Sequence, residues 1–170
     1  RAIFNCRRVA YVGYSVSKVK MIIYITGFRG EWRSLSNFYR CDVYHDFIMY
    51  PSAEHAFQAC KTTDVGLKRT IASCGNAATA KKIGANLKLR DNWDEIRIAA
   101  MLSVLKSKFL VQGIPRDTLV STGNAVLIEG NNWKDNFWGS THVEEYADGS
   151  ICLSGQNWLG TLLMKIRSMI

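Results

Sequence analysis

The apolar positions of the chain follow two different periods. Residues 22–26 are a β-branched, apolar run of strand length. Residues 41–44 and 47–50 are two more short runs, and they read as a hairpin turning at His45 and Asp46. From Ser52 onward the period lengthens to that of a helix. Ser52 is a good N-cap, and Ala53, Ala56, Phe57 and Cys60 form an apolar stripe on a helix predicted to end near Thr62. Residues 67–73 predict a short helix. Asn76 caps a further run that closes at Gly84, read as the glycine just past a helix end. Asp94 is the predicted cap of the longest helix, which runs to about Leu110. Trp93 and Ile98 there sit where a hydrophobic staple would form, and Ile96, Ala100, Met101, Val104, Leu105 and Phe109 give the buried face. Residues 116–121, closed by Gly123, predict one more short helix, and residues 126–129 a strand. A polar, glycine-bearing stretch follows, with residues 140–154 read as an acidic surface loop or a segment that shapes substrate choice. The last helix, 157–168, turns Leu159, Leu162, Leu163 and Ile166 inward. The expected fold class is α+β and mainly α: a single compact helical domain with a few short β-strands near its N-terminus.

Composition narrows the field without deciding it. A chain of 170 residues, 48% hydrophobic and 21% charged, can bury a real core. No apolar run approaches the roughly 20 residues that span a bilayer, so no membrane partner is expected. The net charge of +8 is uneven: residues 1–20 carry five basic side chains and no acid. The domain is read as residues 21–170. Residues 1–20 are read as a basic extension, non-native or, alternatively, a targeting or nucleic-acid arm, and they lack the apolar core of a secretory signal. The mild charge of the remainder tolerates a phosphate-bearing ligand without requiring nucleic acid. The five cysteines have no metal spacing and the three histidines no HExxH pattern. Reduced thiols in a cytoplasmic chain, with no structural metal, are the simplest expectation.

The helix after Ser52 also carries chemistry. Glu54, Gln58 and Lys61 are spaced i, i+4, i+7 and lie along one line beside the apolar stripe. A solvated polar stripe is the bland explanation for such a row. Three other stretches weigh against it. LSNFY (35–39) sets a polar pair, Ser36 and Asn37, between large apolar groups such as Phe38, where Asn37 can cap locally or reach into a pocket. LRDNWD (89–94) holds Arg90 and a tryptophan at a helix entrance. KDNFWG (134–139) places Asp135 three residues from Trp138. A carboxylate beside an indole suits a nucleoside, the acid for ribose hydroxyls and the ring for the base. Glu54 and Asp135 can divide acid–base work on a glycosidic bond. Lys61 can serve as a cation for phosphate or, with its pKa lowered by burial, as a nucleophile toward a sugar aldehyde. Arg90 and Lys108 are weaker phosphate candidates, and Lys108 reads equally well as a solvated helix charge. Spacing alone does not bring the helix row and the late loop together.

Eight ordered blocks go further. They are LSNFY, YPSAEHAFQACK (50–61), AKKIG (80–84), LRDNWD, MLSVLKSKF (101–109), STGNAVLIE (121–129), DNFWG (135–139) and GQNWLGTLLMKIR (155–167). In this order they resemble the NADAR superfamily, the YbiA-like N-glycosidases, across almost the whole chain after Met21. The resemblance implies a mainly helical α+β domain that cleaves an N-glycosidic bond at ribose C1′ without a metal or redox cofactor. The implied substrates are phosphorylated ribosyl compounds: pyrimidine intermediates of riboflavin biosynthesis, or ADP-ribose on guanine of a modified nucleic acid. Block by block, it puts the active-site acid on Glu54, the helix lysine on Lys61, and the loop acid and indole on Asp135 and Trp138. Asn37 and Trp93 fall in the implied pocket, with Phe38, Gln58 and Arg90 as further substrate contacts. Two positions depart from the pattern. Ala85 stands where many relatives have an arginine after the AKxxG glycine, and Phe47 where a hairpin glycine is common. The alternative is a module that binds ADP-ribose or NAD-related nucleotides without cutting them.

Overall fold

A computed structural model of the chain describes residues 7–9, 23–146 and 150–170. In chain order the elements are β1 (Arg7–Val9), β2 (Tyr24–Thr26), a 3-10 helix (Gly30–Leu35), β3 (Val43–His45), β4 (Ile48–Tyr50), α1 (Ala53–Ala59), α2 (Val65–Ala72), α3 (Ala77–Ala85), α4 (Trp93–Phe109), α5 (Ile114–Ser121), β5 (Val126–Ile128), β6 (Val143–Glu145), β7 (Ile151–Leu153) and α6 (Trp158–Arg167). The α+β, mainly helical expectation holds. The chain divides into two compact units: Arg1–Phe28 with Thr122–Ser168, and Arg29–Ser121 with Met169–Ile170. No single helix among the described residues is long and apolar enough to cross a membrane.

The helical unit is built around α1. Its N-terminus is fixed as the sequence suggests: Ser52 Oγ accepts from the His55 amide at 3.4 Å. The same hydroxyl lies 2.7 Å from His55 Nδ1, while His55 Nε2 meets the Cys74 carbonyl at 3.3 Å. A carbonyl only accepts, so Nε2 carries the ring proton and the Ser52 hydroxyl donates to Nδ1. All seven residues of α1 are buried, so Glu54 and Gln58 of the polar row are not solvated. Val43, Tyr50, Ala53, Ala56, Ala59, Ile71, Ala80 and Val104 make the core around it. Small alanines on α1 let α2, α3 and α4 approach it closely.

The flanking elements follow local rules with several exceptions. Asp64 and Asn76 cap α2 and α3 by accepting from Leu67 and Thr79 amides. Gly84, expected past the end of α3, lies inside it. The longest helix begins at Trp93 and not after Asp94, and its N-cap Asn92 makes no side-chain cap bond. Trp93 is therefore a first-turn residue, and it packs on Phe57 with ring centroids 5.4 Å apart. On α4, Met101, Val104, Leu105 and Phe109 are buried as expected, whereas Ile96 and Ala100 are only partly so. Lys108 is also buried, which removes the solvated reading of that side chain.

The β3–β4 hairpin forms as expected, but its turn lies one residue later than predicted: His45 is the last residue of β3, and Phe47 stands in the turn, not in β4. Val43 pairs with Tyr50 and His45 with Ile48. Asp46 and Phe47 form the two-residue turn, with φ of 51° and 60°. Both angles positive is the turn that matches strand twist, and it normally selects Asn-Gly or Asp-Gly. Phe47 stands 90% exposed there. The Lys68 ammonium ion-pairs with Asp46 and ties the turn to α2.

The second unit carries the remaining strands. β2 and β5 pair in parallel, Tyr24 opposite Val126 and Thr26 opposite Ile128. β7 lies between β1 and β6 and is antiparallel to both. The stretch 140–154, read as a loop, thus contains two strands, and residues 7–9 of the basic N-terminal stretch supply the third. The rest of that stretch, with Met21, Ile22 and Asp148, lies outside the described residues. Val126, Ile128, Ile151 and Leu153 form the local core. On α6, Leu159, Leu162, Leu163 and Ile166 are buried as predicted. Asn157, at φ 50°, starts that helix and extends β5. Its Nδ2 donates to the Leu127 carbonyl at 2.9 Å, and its Oδ1 accepts from the Glu129 amide at 2.9 Å. Cys152 is disulfide-bonded, which corrects the all-thiol expectation at that position. Cys41, Cys60 and Cys74 are free.

Candidate active site

The helical unit brings Glu54, Gln58 and Lys61 together as their spacing predicts. Glu54 is 6% exposed and Gln58 3%. Gln58 Nε2 donates to Glu54 Oε1 at 2.7 Å. Past the end of α1 the chain continues in tight turns, so Lys61 stays in line. Its ammonium, half-buried, donates to the Gly84 carbonyl at 3.2 Å. Burial lowers the Lys61 pKa below the ordinary lysine value; the Glu54 carboxylate partly restores it and Lys81 lowers it again. Glu54 and Lys81 therefore each lie within electrostatic reach of Lys61.

Gly84 explains how this row packs. A methyl group built on its Cα would sit 1.9 Å from Gln58 Oε1 and 2.7 Å from Gln58 Cδ. The glycine is there because the Gln58 amide rests on it. Its carbonyl meanwhile receives Lys61, so one residue of α3 fixes two members of the row. Gln58 Oε1 is buried without a hydrogen-bond partner among the described residues, and so is Asn37 Oδ1.

The LSNFY segment closes over the start of α1. The Asn37 carbonyl accepts from the Glu54 amide at 2.9 Å, satisfying a first-turn donor. The Asn37 side chain is buried, its Nδ2 3.4 Å from Met101 Sδ. Phe38 is 46% exposed, with the Lys81 ammonium 5.8 Å above its ring. Arg90 is half-buried. Its amide bonds to the Lys61 carbonyl at 3.0 Å and its Nε to Asn92 Oδ1 at 3.1 Å. Trp93, buried on Phe57, belongs to the core beneath this cluster. Lys81 was missed at the sequence level: it looks like one more helix charge in AKKIG, and only the packing of α3 on α1 brings it toward Lys61.

In the other unit, Asp135 and Trp138 lie in a turn of their own. Asp135 Oδ1 accepts from the amides of Phe137 at 3.1 Å and Trp138 at 2.8 Å, leaving Oδ2 outside these bonds. Asn131 pins the turn, its Oδ1 accepting from the Asp135 amide and its Nδ2 donating to the Asp135 carbonyl. Trp138 is half-buried and meets Phe137 edge-on, with centroids 4.9 Å apart. The spacing of DNFW is thus that of a local turn, in which the Asp135 carboxylate caps the backbone amides of Phe137 and Trp138.

A buried acid held by an amide beside a partly desolvated amine is the equipment of an acid–base or covalent catalyst on an α+β frame. The NADAR domain family matches residues 27–170, and the chain belongs to it. The chain is 33% identical over 135 residues to a riboflavin biosynthesis protein of Vibrio vulnificus (strain YJ016), a match covering 78% of this chain and 34% of that protein. This chain thus spans about a third of that relative's length. It is 30% identical over 142 residues to the N-glycosidase YbiA of Escherichia coli (strain K12), covering 82% of each. The NMR structure of Escherichia coli YbiA superposes with a TM-score of 0.71 at 27% identity, covering 91% of this chain and 88% of that one.

Proposed function

We propose that this chain is an N-glycosidase that hydrolyses the bond between a base nitrogen and C1′ of a phosphorylated ribosyl compound. The observation that carries this reading is the Glu54–Gln58–Lys61 row, with Glu54 and Gln58 buried and Lys61 half-buried beside them. Family membership and the N-glycosidases among its relatives support it. Glu54 protonates the leaving base as the C1′–N bond breaks. The Lys61 amine, in its neutral fraction, bonds to C1′; the Glu54 carboxylate, left by the first step, relays a proton from that nitrogen to O4′ as the C1′–O4′ bond opens, which leaves a protonated imine. Water then adds to C1′ and displaces the free amine, releasing the sugar phosphate as its aldehyde, and the proton set free returns to Glu54. Asp135, through Oδ2, accepts from ribose hydroxyls, and Trp138 stacks the base; their shared turn supports that pairing. Lys81, one turn before Ala85 on α3, and Arg90 are the phosphate contacts, with Phe38 as an exposed apolar wall. Asn37 and Gln58 offer buried acceptors to substrate N–H or O–H groups. The substrate classes are the riboflavin-pathway pyrimidine phosphates, favoured by the riboflavin names among the relatives, and ADP-ribosylated guanine.

Borohydride added during turnover tests the covalent step. The expected result is a substrate adduct on the wild-type protein that is absent from Lys61→Ala. Turnover without any trapped adduct would remove the covalent role from Lys61.

A further inference from the structure

Lys108 has no part in the chemistry above, yet it is 3% exposed. Its ammonium donates to the Ser36 carbonyl at 2.7 Å. The rings of Phe109 and Tyr39 lie 4.8 Å and 5.8 Å from it. No carboxylate ion-pairs with it among the described residues, and burial pushes its pKa down to about 8. A lysine buried on such terms is costly, and a methionine would fill the same space more cheaply. Beyond those two ring contacts, what the amine provides is a bond to one carbonyl.

That carbonyl belongs to the residue before Asn37, and the Asn37 carbonyl receives the Glu54 amide. A continuous set of bonds therefore runs from Lys108 on α4, through Ser36 and Asn37, to the first turn of α1 and its acid. We infer that Lys108 is a positioning residue: it clamps the LSNFY segment so that Asn37 and Glu54 are held in place for the reaction. The inference rests on the function proposed above. Lys108 need not touch substrate. A carboxylate displaced by a fraction of an ångström loses rate without losing the fold.

The test is Lys108→Met, with turnover measured well below the melting temperature and amide hydrogen exchange read residue by residue. The expected result is kcat lower by about tenfold, KM changed by less than about threefold, and faster exchange at the Glu54 amide while the amides of α6 keep their protection. A folded Lys108→Met with wild-type kcat, or with full protection at Glu54, overturns the inference. Should that variant not fold, Lys108→Gln is read the same way. Its amide stops short of the Ser36 carbonyl, so kcat should again fall, and a wild-type kcat again overturns the proposal. If wild type shows no turnover, or Glu54→Gln matches it, the functional reading has failed, and the exchange data alone decide whether the clamp exists.

Discussion

Replacing Gly84 by alanine should destabilise the protein although alanine is the better helix former. Inside a helix the exchange favours alanine by about 1 kcal/mol. Here the added methyl would sit 1.9 Å from Gln58 Oε1, well inside van der Waals contact. Gln58 is 3% exposed and cannot swing into solvent. To make room its amide must leave Glu54 Oε1, giving up a bond to a charged acceptor valued at about 1.5–3 kcal/mol. Overpacking adds roughly 1–3 kcal/mol. Against the gain in propensity, the net loss is about 1.5–5 kcal/mol. Shortening Gln58 to alanine removes the clashing amide and leaves only its Cβ, 2.9 Å from the new methyl. Gly84→Ala should therefore cost less in a Gln58→Ala background. Urea unfolding of the four proteins in this cycle measures the coupling, expected at about 1 kcal/mol or more. Gly84→Ala at or above wild-type stability, or losses that simply add, would refute the claim that this glycine exists to seat Gln58.

Two further predictions concern stability. Phe47→Gly should raise stability by about 0.5–1 kcal/mol, because φ of 60° strains a side chain that is 90% exposed and contributes little packing; thermal unfolding checks it, and an unchanged or lower midpoint contradicts it. Burial lowers the pKa values of His45 and His55 below 6.5. The unfolded chain then binds protons that the folded one refuses, so stability should fall as pH drops below about 6.5 toward the folded pKa values. A urea midpoint identical at pH 7.5 and 5.5 would contradict this, and a His45→Gln, His55→Gln double variant should flatten the profile.

Local chemistry was readable and tertiary chemistry was not. Ser52 and Asn76 cap their helices because capping needs only an oxygen three residues from an amide. The start of α4 was misplaced because Asn92 and Asp94 both suit a cap and flank the same tryptophan. Gly84 resembles a helix terminator in sequence, and its contact with Gln58 appears only when α3 meets α1. Lys108 reads as an ordinary surface lysine because i, i+4 spacing does not reveal a carbonyl 72 residues away. The Glu54–Gln58–Lys61 row was legible because one helix holds it. That its surroundings are buried was not, since α1 is covered on every side by distant segments. Asp135 and Trp138 were legible as a pair because a four-residue turn joins them.

The account depends most on Glu54. Wild type and Glu54→Gln should be compared under multiple turnover, following free sugar phosphate from a pyrimidine ribosyl phosphate and free ADP-ribose from ADP-ribosylated guanine in parallel. The account predicts release by wild type from one of the two, and a fall of about 10²-fold or more in Glu54→Gln. Equal rates in the two proteins, or no release from either substrate by wild type, would contradict it.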